Sequence, residues 1–78
     1  MEGYLKIGSD IGKSFIKARL DKQMTRAELA EKSGLHVNTI GLLERNEMNG
    51  SIYVYLSIAK ALGYDGIVFE VNRNDAHN

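Results

Sequence analysis

The sequence predicts a small, mainly α-helical domain of four helices, with a helix-turn-helix at its centre and a short β-strand near its C-terminus. Three observations predict it. Between Thr25 and Asn46 two short helical patterns are separated by Ser33-Gly34-Leu35. On either side, Ile11-Phe15-Ala18 and Tyr55-Ala59-Leu62 repeat apolar residues at helical spacing. Beyond them, Ile67-Val68-Phe69-Glu70-Val71 is rich in β-branched and aromatic residues and follows Asp65-Gly66, the composition of a strand.

The elements follow in order. Residues 1–9 form an arm in which Tyr4-Leu5-Lys6-Ile7 alternates weakly, which suits either a short strand or an unordered segment. The first helix is expected from about Asp10 to Lys22, capped by Ser9 or Asp10. Its core face is Ile11, Phe15 and Ala18. Ile16 and Leu20 make a second apolar strip, expected to be covered by the N-terminal segment or a partner chain. The second helix, about Arg26 to Ser33, opens on Thr25 with Glu28 three residues later. This is the capping-box spacing, in which each side chain takes a backbone N–H that the first turn leaves unpaired. Ala27, Leu29 and Ala30 supply its apolar face, and Gly34 stands where a left-handed residue ends a helix.

The third helix, about Val37 to Arg45, has His36 at its cap. Ile40 and Leu43 point inward, while Val37, Asn38, Gly41 and Leu42 face outward. Gly41 weakens it by about 1 kcal/mol relative to Ala. Asn46 tolerates the left-handed geometry of a helix end. The fourth helix runs from its cap Ser51 to about Leu62 and stops at Gly63. Ile52, Tyr55, Leu56, Ala59 and Leu62 are its expected core face. Val54, Ile58 and Ala61 form a second stripe, and a helix apolar on two sides is covered on two sides. The strand cannot stand alone, so it pairs with Tyr4–Ile7 or with the same strand of a second subunit. Residues 10–63 are thus the helix-turn-helix domain, 64–72 a strand extension for dimerisation, and 73–78 a disordered tail. Val54, Ile58, Ile67, Val68, Phe69 and Val71 are the expected dimerisation residues.

Composition excludes several classes. The chain has no cysteine, so it has neither a disulfide framework nor a thiolate metal site. No apolar run approaches membrane-spanning length and no signal-peptide pattern is present, so a cytoplasmic, nucleoid-associated protein is expected. Two histidines, one at a helix start and one in the tail, do not assemble with a nucleophile, phosphate loop or metal-ligand spacing. No enzymatic activity, cofactor or metal is expected. Net charge is zero, which counts mildly against a nucleic-acid partner. Residues 1–40 nevertheless hold seven Lys and Arg against five Asp and Glu, a balance of +2, and the remainder carries −2.

Thr25-x-Ala27-Glu28-Leu29-Ala30-x-x-x-Gly34-Leu35, then Thr39-Ile40 and Leu43-Glu44-Arg45, resembles the Cro/repressor-type (XRE-like) helix-turn-helix regulators. The similarity extends through Leu56 and Ala59-Lys60-Ala61-Leu62-Gly63 and back to Ile11, Phe15 and Arg19. It implies a lambda-repressor-like fold and double-stranded DNA as partner, with the third helix in the major groove. By this resemblance Arg19 and Glu44 form a structural ion pair. Val37, Asn38, Thr39 and Leu42 stand where bases are read, and Arg26 stands where the family contacts backbone or a base edge. Thr25, Lys13, Lys17, Asn46 and Asn49 are the expected phosphate contacts. Position 42 is commonly Arg, Lys or Gln in such proteins and is Leu here. The face still suits A·T-containing steps: Asn38 matches adenine N6 and N7, and Val37 and Leu42 match thymine methyls. The resemblance therefore implies a homodimeric repressor reading an inverted repeat. The apolar Val37–Leu42 face and zero net charge suit an alternative, a protein-interaction module on the same fold whose partner is a toxin or a repressor.

Overall fold

The computed structural model describes residues 3–70. The order of elements is β1 (Tyr4–Ile7), α1 (Ile11–Asp21), α2 (Arg26–Ser33), α3 (Val37–Glu44), α4 (Ile52–Ala61) and β2 (Gly66–Phe69). β1 and β2 form a two-stranded parallel sheet with Tyr4 opposite Gly66 and Ile7 opposite Phe69. Parallel neighbours need a long crossover. Here the four helices are that crossover, so the sheet ties the two ends of the described chain together.

Each helix starts on a side chain that accepts a backbone N–H. Asp10 caps α1 through Lys13 N, Thr25 caps α2 through Glu28 N, and Ser51 caps α4 through Val54 N. On α2 the box is complete, because Glu28 Oε1 accepts from Thr25 N at 2.9 Å. His36 caps α3 with its ring: Nδ1 accepts from Asn38 N at 3.1 Å. Helix ends are closed with equal economy. α3 finishes with Asn46 N on Leu43 O and Glu47 N on Leu42 O, the paired bonds of a Schellman motif, with Asn46 left-handed at φ 58°. α1 ends the same way around Gln23, left-handed at φ 57°, where the sequence offers neither Gly nor Asn as a signal. Gly34 is left-handed as expected, at φ 76°.

The core lies where α1, α2, α3 and α4 meet the buried side of the sheet. Leu5 and Ile7 are buried and Tyr4 and Lys6 exposed, the period of two expected of a strand with one covered face. Phe15, Ile7, Leu29, Ile40 and Ile58 are the largest fully buried side chains. Each contributes roughly 1.5–3 kcal/mol by leaving water. The Phe15 and Tyr55 rings meet at 5.1 Å, and Tyr55 meets Phe69 edge-on at 6.5 Å.

Several expectations are corrected. Of the alternatives left open, the N-terminal segment is a strand, and β2 pairs with it within the chain. In α4 the inward face is Tyr55, Ile58, Ala59 and Leu62. Ile52, expected in the core, is 45% exposed, whereas Ile58, expected at a dimer contact, is 1% exposed and offers no surface to a partner. The cause is that α4 is apolar on two sides, so periodicity alone could not choose which stripe meets α2 and β2. Ala27 is exposed, and Leu20 stands 58% exposed with Ile16 half-buried behind it. β2 ends at Phe69; Val71 and the tail lie outside the described residues.

Candidate nucleic-acid interface

α3 is held from behind by one carboxylate. Glu44 is fully buried and accepts from two guanidinia. Arg19 Nε reaches Oε2 at 2.7 Å with Nη2 on Oε1 at 3.3 Å, and Arg26 Nε reaches Oε1 at 2.8 Å. Arg19 also donates from Nη1 to the Met24 carbonyl at 2.8 Å. The Arg19–Glu44 pair matches expectation. The Arg26 contact was not foreseen, and it gives Arg26 a fixed inner end while half of its side chain stays in solvent.

The same C-terminal end of α3 is also latched to the start of α1 through Asn46. Asn46 Oδ1 accepts from Gly12 N at 2.8 Å, and Asn46 Nδ2 donates to Asp10 Oδ1 at 2.9 Å. Gly12 permits this closeness: a Cβ there would run into the Glu44 carbonyl oxygen and lie 2.8 Å from Asn46 Oδ1. Asn46 was expected at a phosphate. Both polar side-chain atoms make a bond within the chain, while the residue stays exposed. The Asn46 amide, then the Lys13 N–H, hold the Asp10 carboxyl below its ordinary value of 3.8. The Thr25 backbone N–H and hydroxyl likewise hold Glu28 below 4.5.

So anchored, α3 turns one face outward. Val37, Asn38, Gly41 and Leu42 line a groove of ≈ 410 Å³ together with Arg26 and Arg45. Val37 is 40% exposed and Asn38 is exposed, while Leu42 and Thr39 are half-buried. The groove thus combines an apolar floor, one amide and two guanidinium walls. Thr25 stands exposed at the start of α2, and Asn49 is exposed in the loop after α3. Lys13 is exposed on α1. Lys17 lines a different groove, between β1 and α1 with Tyr4, Ser14 and Tyr64, which shares no residue with the first.

Arg45 is the residue that sequence reasoning missed. A helical side chain covers the turn N-terminal to its own Cα, and four residues before Arg45 stands Gly41. A Cβ on Gly41 would lie 3.1 Å from Arg45 Nη1. The glycine read as a weakness of the helix is the place where the guanidinium rests, and the Gly41/Arg45 spacing was the available signal. Arg45 Nε also donates to Glu47 Oε2 at 3.1 Å.

Of the expected dimerisation residues, Val54 and Ile67 are half-buried, and Val68 and Phe69 are 44% and 48% exposed. Among the described residues no group of three or more His, Cys, Asp or Glu is arranged to hold a metal, and no helix is long and apolar enough to cross a membrane.

Comparison with known proteins agrees with this geometry. No curated protein sequence matches the chain. The wild-type restriction-modification controller protein C.Esp1396I, a solved structure, is similar at 37% identity and a TM-score of 0.69, over 73% of this chain and 75% of that one. The helix-turn-helix family matches residues 15–69. The chain belongs to the XRE-type helix-turn-helix family of DNA-binding transcription regulators.

Proposed function

We propose that the protein is a sequence-specific repressor that binds an inverted-repeat operator as a homodimer, with α3 in the major groove. One observation carries the reading: an outward face of α3 bearing Val37, Asn38 and Leu42 is fixed from behind by buried Glu44 and flanked by two guanidinia. Asn38 pairs with adenine N6 and N7, Val37 and Leu42 touch thymine methyls, and Thr39 closes against the same step. Arg26, steered by Glu44, reaches a base edge. Thr25, Lys13 and Asn49 contact phosphate and set the register. The regulatory role of the similar controller protein supports the assignment. No catalytic step, metal or cofactor belongs to it, and the cytoplasm is the compartment it suits.

Two copies place their α3 helices one DNA turn apart, ~34 Å. Val68 and Phe69, partly exposed on opposite faces of β2, and the half-buried Val54 and Ile67 offer apolar surface for that contact. A chain of this size gains stability from such an interface.

Selection from a randomised duplex pool tests the reading. Enrichment of a palindromic motif containing A·T pairs, with half-sites one helical turn apart, is expected. Absence of enrichment at low salt contradicts it and favours a protein partner docking on the apolar Val37–Leu42 face.

A further inference from the structure

We infer that Arg45 is a second specificity-determining side chain, one that reads a guanine from within the α3 groove, and that Gly41 is the residue that seats it there. The inference rests on the DNA-binding reading above and adds a G·C pair to the A·T-containing site that Asn38, Val37 and Leu42 imply.

The first support is position. Arg45 follows the last residue of α3, yet its guanidinium lies back over Gly41 and lines the groove with Val37, Asn38 and Leu42. A Cβ at Gly41 would lie 3.1 Å from Nη1, a tight approach that moves the guanidinium by a few tenths of an ångström, and at an ordinary 3.9 Å from Cζ and Nη2. A phosphate contact would be served by an arginine extended away from the helix end, toward the DNA backbone. One folded along the exposed face of a helix meets base edges when that helix enters the groove.

The second support is the way the fork is held. Arg45 donates its Nε to Glu47 at 3.1 Å, and Arg26 donates its Nε to Glu44 at 2.8 Å. Both guanidinia are restrained on the Nε side, with Nη1 and Nη2 left to meet a ligand. Two parallel N–H donors fit O6 and N7 of guanine, the commonest specific arginine contact in the major groove. A restrained fork also loses less rotamer freedom on binding than a loose one. Glu47, otherwise a charge facing the wrong way for DNA, gains a role as the restraint on the reader. The half-site chemistry that follows is an A·T step under Asn38, Val37 and Leu42, with a guanine beside it under Arg45.

The test uses the full chain and the duplex it selects, with each base pair of a half-site replaced in turn. Affinities are measured for wild type, Arg45→Ala, Arg45→Lys and Gly41→Ala. Wild type is expected to reject replacement of one G·C pair by about 5- to 150-fold. Arg45→Ala and Arg45→Lys lose that discrimination, the second although it keeps the charge, and both retain the preference at the pair read by Asn38. Gly41→Ala reduces discrimination at the same G·C pair only. Uniform weakening of every duplex by Arg45→Ala, with discrimination retained by Arg45→Lys, makes Arg45 a phosphate contact and overturns the inference. Full discrimination in Gly41→Ala overturns the role of Gly41. A wild-type protein that binds every duplex alike, or none, removes the DNA-reading assignment itself, and this inference with it.

Discussion

Glu44 joins α1, α2 and α3 at one buried carboxylate. It is one acceptor shared by Arg19 and Arg26, with Arg19 buried beside it. Glu44→Ala leaves the Arg19 charge buried without a counter-charge, and removing one partner of a buried pair typically costs ~3–5 kcal/mol. The expected outcome is a melting temperature far below wild type, while a change at an exposed residue such as Glu31 moves it little. An unchanged melting temperature would show that the cluster adds nothing to stability. At the reading face, Asn38→Ala should relax specificity at one base pair by ~1–3 kcal/mol and leave the others alone. Competition between duplexes that differ at single positions measures this. The residues legible in the sequence were those with a fixed local signature: the Thr25/Glu28 box, Gly34, and the Arg19 and Glu44 matched by family resemblance. Arg26 on Glu44 and Arg45 on Gly41 were not, because a long flexible side chain chooses its partner from what tertiary packing brings near.

At the scale of elements, the ends of the helices decide where α3 sits. Asn46 closes α3 in left-handed geometry and at once binds α1 through Gly12 N and Asp10 Oδ1. Asn46→Gly keeps the turn but drops the latch. It should cost about 1–3 kcal/mol, the sum expected for two net hydrogen bonds, and Asp10 should titrate closer to 3.8. If it instead weakens DNA binding with stability untouched, Asn46 is a DNA contact after all. Acid probes the same caps. Asp10 and Glu28 are both held below their ordinary values, so each contributes stability that is present above those values and lost as pH falls through the lower, folded-state ones. Protection of the first-turn amides of α1 and α2 should therefore persist at pH 5 and fall below about pH 4, as hydrogen exchange would show. The four helices, β2 and their order were legible because apolar periodicity and caps are local, whereas Tyr4–Ile7 stayed open between strand and unordered segment because four residues do not decide a period. The facing of α4 was not legible: with two apolar stripes, the choice of Ile58 over Ile52 is made by α2 and β2, which are distant in sequence. The same holds for Gln23, whose left-handed turn is imposed by the bonds around it.

For the whole molecule, the pairing of β1 with β2 means that the two ends of the described chain stabilise each other, and the helices hang between them. Within the sheet Val68 and Phe69 point to opposite faces, Phe69 toward Tyr55 and Val68 away from the core, so Val68 is the apolar side chain that β2 shows on its outer face. Val68→Lys should shift sedimentation from dimer to monomer, with each chain still folded. A dimer that survives this change uses another surface.

If the α3 face meets double-stranded DNA, the affinity of the wild-type chain for its selected duplex depends on salt. Neutralising phosphates releases counterions, so log affinity should fall linearly with log salt, by about 0.9 per phosphate contacted. A steep, linear fall for the selected duplex, with a weaker affinity for a scrambled one at every salt, is the result predicted here. Affinity that is flat with salt, or equal for the two duplexes, would contradict it.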